Sequence, residues 1–284
     1  MSDSPRLSKN QRREAAREAA RITREKQVKR ERLLKWLVPT SVSVGLLAIA
    51  AVVIVVVVTA IPRPQLPAGP DNMASDGILF EAPDGDVVPV STPGIAEESE
   101  PVATEFEASD DRAHIVTYID WTCPACKVFE ENYGAQIEQL VADGDATLEV
   151  HPVAILDRAY AGSRYSSRAA NAAACVASNA PESFLDVQEA FFAGQPQEGT
   201  TGLGDDEMVD LIASAGVTDP AVTECVTDET YREWVTASTS RTTSDEALLN
   251  AQGGFQTPTL TVNGERWDSQ SGVDFLDFVA DQIG

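Results

Sequence analysis

The chain has 284 residues, room for one or two domains, and 45 acidic against 21 basic side chains. That acidity supports solubility and repels anionic surfaces, so nucleic acid is excluded as a general partner. The charge is also partitioned: residues 1–35 hold 12 Lys/Arg against five Asp/Glu, a net of +7, while residues 62–284 hold nine against 40, a net of −31.

Residues 1–36 form a basic tail. In "NQRREAAREAARITREKQVKRERLLK", Ala, Glu and Arg recur at helical spacing with few apolar positions, which predicts a solvated helix held near anionic lipid. It offers no aromatic residue on which bases could stack.

The run "LVPTSVSVGLLAIAAVVIVVVVTAI", residues 37–61, contains no charge. As a helix it would reach about 37 Å, enough to cross a hydrocarbon core of about 30 Å with some tilt. A cleaved signal peptide fits poorly, because the run is too long and ends in no A-x-A site. Lys29, Arg30, Arg32 and Lys35 crowd its N-terminal flank and only Arg63 lies near the other. The expectation is a single-pass membrane protein with its N-terminus cytoplasmic and the rest extracytoplasmic; Trp36 suits the interfacial belt.

Residues 62–112 read as an extended Pro/acidic linker; positions 62–111 alone carry eight of the 16 prolines and 12 acidic residues. One interruption, "GILFEAPDGDVVPV" (77–90), has two apolar runs around a turn signal and predicts an edge strand or hairpin.

From residue 113 the pattern is globular. "HIVTYID" (114–120) predicts a strand, and a helix follows from Cys123 to about Val141 with Phe129, Tyr133, Ile137 and Leu140 on one stripe. "ATLEVHPVAIL" (146–156) predicts a second strand. A helical section spans about 160–251, with Gly216 as a stop and Asp219 and Pro220 as an N-cap and first helical position. "TPTLTV" (257–262), the Asn263-Gly264 turn and "ERW" predict a hairpin. A last helix is expected from Ser271, with Asp274 as its capping-box partner. The order is β-α-β, a helical block, then β-β-α.

Four cysteines remain to be placed. Zinc needs two close pairs, or a pair with spaced histidines, and neither Cys175 and Cys225 nor His114 and His151 supply them; no metal and no cofactor is expected, and the histidines read as ordinary sheet residues. Cys175 and Cys225 lie in helical stretches, and in an exported domain they most simply cross-link two helices, a second redox pair being the alternative. Cys123 and Cys126 differ, since a strand ending at Asp120 and a helix starting near Cys123 set the first thiol at a helix N-terminus. Unpaired N–H groups there favour a thiolate, Pro124 costs nothing in that first turn, and Cys126 one turn on can close a small disulfide ring. An inert bridge is the bland alternative.

Taken in order, "DWTCPACKVFE", "AANAAACVA" followed by "EGTTGLGDDEM", and "TPTLTVNG" resemble the DsbA-like branch of the thioredoxin superfamily, in its membrane-anchored actinobacterial form. The resemblance covers about residues 113–284 and implies an α/β thioredoxin-like fold with an inserted helical domain. It further implies a cis peptide bond at Thr257-Pro258 facing the thiols, a client strand lying on the Thr257 backbone and over Trp121, Pro124 and Ala125, and Cys175–Cys225 as a brace of the insertion. By the same likeness the function is disulfide formation in exported proteins at Cys123 and Cys126, with reoxidation by a quinone-linked, VKOR-type membrane protein.

Two departures qualify this. Pro124-Ala125 stand between the cysteines where the best-known DsbA proteins have Pro-His, which removes one stabiliser of the thiolate and predicts a milder oxidant. Thr117 stands six residues before Cys123, where many relatives carry a buried carboxylate; Asp120 and Glu130 are the acids nearby. A reductase or isomerase of the same fold, or a tethered binding module whose disulfide never cycles, are the alternatives.

Overall fold

The computed structural model describes residues 17–18, 20–31, 67–106 and 111–283, and the chain divides into units of residues 1–64 and 65–284. In the first unit, residues 17–18 and 20–31 are helical and exposed, in line with the alternating Ala, Glu and Arg. The expected membrane span, 37–61, lies outside the described residues. No helix among those described is long and apolar enough to cross a membrane.

The second unit is built on one sheet. Strand β3 (Ala113–Ile119) runs into helix α1 (Pro124–Ala142) and returns as β4 (Ala146–Pro152), parallel to β3. Both strands are buried almost throughout, which accounts for their β-branched, apolar sequence. Strand β5 (Thr259–Val262) pairs antiparallel with β3, and β6 (Glu265–Arg266) pairs with β5. Asn263 and Gly264 join them with φ of 52° and 83°, the left-handed pair that a two-residue hairpin requires. Helix α7 (Phe275–Ile283) closes the chain. Its N-cap differs from expectation: Asp274 is itself the cap, its Oδ1 accepting from the Leu276 N–H at 2.9 Å, while Ser271 Oγ accepts from Val273 in the preceding turn.

Between β4 and β5 lie α2 (Tyr165–Asn179), α3 (Phe184–Ala193), α4 (Asp205–Ser214), α5 (Pro220–Thr227) and α6 (Arg232–Ser244). The alanine-rich α2 is buried on nearly every face, the signature of a central helix rather than a surface one. Its small side chains let α3, α5 and α6 pack around it. The Cys175–Cys225 disulfide ties α2 to α5 at a Cα–Cα separation of 5.7 Å. Asp219 caps α5 by accepting from the Ala221 N–H, with Pro220 in the first turn.

The expected linker over 62–112 requires correction. From Pro67 it is an arm folded onto the domain, with Met73, Ile78, Phe80 and Ile95 buried in the common core. Strand β1 (Ile78–Glu81) adds antiparallel to β4, and β2 (Val88–Pro89) to β1, giving the sheet order β2-β1-β4-β3-β5-β6. Asp76 holds the arm to α6: both of its oxygens are taken by Arg241, at 2.7 and 2.8 Å, and Oδ1 also accepts from Trp234 Nε1. The arm's average composition is too polar to fold alone, but its few apolar residues find a surface that the domain supplies.

The histidines are more than sheet filler. His114 Nε2 lies 3.2 Å and His151 Nε2 2.9 Å from opposite oxygens of the buried Glu149, and Ser75 of the arm bonds the same carboxylate. Burial alone would raise the Glu149 pKa, but the charge of His151 and the hydrogen bonds from His114, His151 and Ser75 hold it well below the usual range. A Cβ at Gly77 would stand 2.5 Å from the His151 ring, so only glycine lets the arm approach this closely.

Candidate active site

The site grows from the join of β3 and α1. After Ile119 the chain turns, the Cys123 N–H donating to the Asp120 carbonyl at 2.9 Å, and Cys123 becomes the extended N-cap of α1 with Pro124 in its first turn. This geometry brings the first-turn N–H groups of Ala125 and Cys126 towards the Cys123 sulfur. Both thiols are reduced; Cys123 is 7% exposed and Cys126 1%. The Thr257–Pro258 peptide bond is cis, and the loop carrying it presents the Thr257 carbonyl 3.3 Å from Cys123 Sγ, which donates to it.

The two sulfurs are electrically unlike. Hydrogen bonding from the Cys126 thiol lowers the Cys123 pKa to about 6, against burial, with Thr257 and the N–H groups of Cys126 and Ala125 adding to the effect. Cys126 is pushed well up, first by burial and then by its bond to Cys123 and the charge there. Cys123 is therefore the sulfur set to ionise first, and Cys126 the one that keeps a proton.

The helical domain clamps this turn. Asp120 is fully buried, and its two oxygens accept five hydrogen bonds, from Thr122 N and Oγ1, Ile155 N, Leu156 N and Ser166 Oγ of α2. Burial raises its pKa, and the hydrogen bonds from Ser166, Thr122 and Ile155 oppose that rise. The next three carbonyls are capped as well: Gln195 Nε2 donates to those of Trp121 and Cys123, at 2.8 and 3.1 Å, and the Tyr160 hydroxyl to that of Thr122 at 3.0 Å.

Of the residues expected to meet a client, Pro124 and Ala125 are exposed and Thr257 and Pro258 half-buried beside them. Trp121 does not join them, and the expectation that a client lies over it is overturned. At 1% exposure it faces the core, edge-on to Phe184 of α3 at 6.1 Å, because the helical domain covers the side of the turn from which it projects. The apolar surface beside the thiols comes instead from a cleft of about 240 Å³. Val128, Phe129 and Tyr133 of α1 line it, with Thr257, Pro258, Arg266 and Trp267. Trp267 has no sequence signal that would place it there, since only the β5–β6 hairpin brings it next to α1.

Thr117 and Glu130 line the same small cavity under α1. Glu130 Oε1 accepts from Gln188 Nε2 at 3.1 Å, and burial raises its pKa to about 7.

Comparison with known proteins accords with this geometry. A family model described as Thioredoxin matches residues 108–281. The reduced disulfide bond oxidoreductase DsbG of Mycobacterium tuberculosis is 30% identical, with a TM-score of 0.50 over 61% of this chain and 78% of that one. Oxidised DsbA of the same organism is 26% identical, with a TM-score of 0.54 over 73% of this chain and 93% of that one. The serine/threonine-protein kinase PknE of M. tuberculosis is 30% identical over 161 residues, 55% of this chain, and the chain spans about a quarter (26%) of that curated relative. The chain belongs to the thioredoxin family, and the solved structures it resembles are DsbA-like thiol:disulfide oxidoreductases.

Proposed function

We propose that the protein forms disulfide bonds in exported proteins, anchored in the cell membrane by residues 37–61 with its N-terminus in the cytoplasm. The observation that carries the reading is the split between the two thiols: a low-pKa sulfur within reach of a carbonyl-bearing loop, and a buried partner that stays protonated. In the oxidised enzyme a client thiolate attacks Cys123 Sγ, the Cys123–Cys126 bond breaks, and Cys126 leaves with the electron pair and takes up a proton. A second client thiolate then attacks the client sulfur of the mixed disulfide and expels Cys123 as a thiolate. The client leaves oxidised by two electrons and the enzyme dithiol holds them, so an acceptor must follow; a quinone-linked, VKOR-type membrane protein is the reoxidant proposed by likeness.

The cleft beside Thr257 seats one bulky client side chain while the client backbone pairs along the loop. The test is equilibration of the full chain in glutathione buffers, together with oxidative refolding of a reduced client. A markedly oxidising potential and client refolding support the proposal; a potential near that of cytosolic thioredoxins would make the protein a reductase or isomerase. A second reading, a tethered module whose disulfide never cycles, draws on the match to part of a kinase, a chain of different activity. Under it, Cys123→Ala would leave function intact.

A further inference from the structure

We propose that Arg266 makes the cleft selective for client segments that carry a carboxylate side chain close to the apolar residue seated beside the cysteine. The inference rests on the reading of the cleft as the client site. Residues 62–284 contain only nine basic side chains among 40 acidic ones. Lys127, Arg164, Arg168, Arg232 and Arg241 are each within ion-pair distance of an acidic partner. Arg266 is the one charged side chain lining the cleft, and it makes no ion pair and no side-chain hydrogen bond among the described residues. Its Nε–H is buried and meets no acceptor.

A buried donor on a permanently charged group is costly to leave unmet, and a guanidinium binds a carboxylate better than any neutral acceptor. Asp274, which bonds the cleft-lining Tyr133, does not fill the role. Asp274 already accepts from the Tyr133 hydroxyl at 2.9 Å and from the Leu276 N–H. The rest of the lining is aromatic or uncharged, so the cleft combines one apolar seat with one cation. Side chains two apart on an extended client point the same way, so the cysteine on Cys123 and an apolar residue two positions along can engage together. The domain's overall acidity works against acidic clients at long range, but at physiological salt that repulsion fades within about 8 Å and the local contact decides.

The test uses the full-length Cys126→Ala chain in detergent micelles at physiological ionic strength. Peptides carry one cysteine activated as its nitrothiobenzoate disulfide, a leucine two residues on, and Glu, Gln or Lys at each surrounding position in turn. The Cys123 thiolate attacks the peptide sulfur, the activated disulfide breaks, and nitrothiobenzoate leaves with the electron pair, with no net oxidation. At one position at least, Glu should react about five- to tenfold faster than Gln, the worth of a charge-assisted hydrogen bond at a half-exposed site, and Lys slower than both. Arg266→Gln should abolish that preference, and Arg266→Lys should keep part of it. Equal Glu and Gln rates at every position, or a preference that survives in Arg266→Gln, overturns the proposal and leaves the client site standing. Release from none of the peptides overturns the client site itself and this selectivity with it.

Discussion

Cys123 Sγ donates to the carbonyl oxygen of Thr257 across 3.3 Å, joining the N-cap of α1 to the loop before β5 across 134 positions of sequence. That bond exists only for the thiol. Once Cys123 ionises, the sulfur is held by its Cys126 neighbour, by Thr257 and by the backbone N–H groups of the helix tip. The expected result is a Cys123 that titrates near pH 6 while Cys126 stays a thiol beyond pH 9. Alkylation of the reduced full chain across pH, with peptide mapping of the two sites, measures this directly. Two thiols of equal, ordinary acidity would remove the electrostatic basis of the proposed chemistry.

The depressed pKa also fixes how stability depends on redox state. Cys123 goes from an ordinary value of 9.0 to about 6 in the folded reduced chain. Between those pH values the unfolded chain carries a proton that the folded chain has lost, so reduced-state stability rises with pH by about 1.4 kcal/mol per unit. The contribution is complete above pH 9 and is lost as pH falls through 6. The oxidised chain has no such titration. Urea unfolding of the reduced and oxidised forms at pH 6, 7 and 8 should therefore show the reduced form gaining on the oxidised one at each step. A gap that stays constant with pH would contradict the assignment of the thiolate to Cys123.

Much of this machinery was legible in the sequence because its signals are local. Pro124 after a cysteine at a strand end, Asn263-Gly264 between β-branched runs, and Asp219-Pro220 each act within a few residues, and the structure has each where expected. The burial of Trp121 was not legible, since it depends on α3 packing over the turn. The edge hairpin within 77–90 was legible from its two apolar runs around a turn, but the fixed points of the arm around it were not: Asp76 with Arg241, 165 positions away, and Ser75 with Glu149. The capping of the active-site carbonyls by Gln195 and Tyr160 belongs to the same class. Such contacts leave no periodicity, only single polar residues whose partners the fold chooses.

Glu130 offers a measure of what it costs to bury a carboxylate under the catalytic helix. Its pKa rises from 4.5 to about 7 on folding, chiefly through burial. From pH 4.5 to 7 the folded chain binds the proton more tightly than the unfolded one, so this group lowers stability as pH rises. Glu130→Gln keeps an acceptor for Gln188 and removes the charge. The variant should be more stable than the parent at pH 8 by about 1–3 kcal/mol and indistinguishable from it at pH 4. Denaturant midpoints at the two pH values check both halves, and equal effects at both would show that the side chain acts through packing alone.

The Cys175–Cys225 bond closes a span of 50 residues that includes α3 and α4, and it joins the central helix α2 to α5. In the chain-entropy picture a loop of this size is worth about 4 kcal/mol to the folded state. The same α2 carries Ser166, which holds Asp120 behind the active-site turn. The contact to Asp120 lies in the first turn of α2 and the disulfide in its third, so removing the bond should loosen the helical block as a whole before it disturbs the turn. The double variant Cys175→Ala, Cys225→Ala should unfold at lower denaturant concentration by an amount equivalent to about 3–4 kcal/mol. Below its transition it should keep the Cys123 titration near pH 6. Loss of that titration in a chain still folded by circular dichroism would mean instead that the brace sets the electrostatics of the thiol.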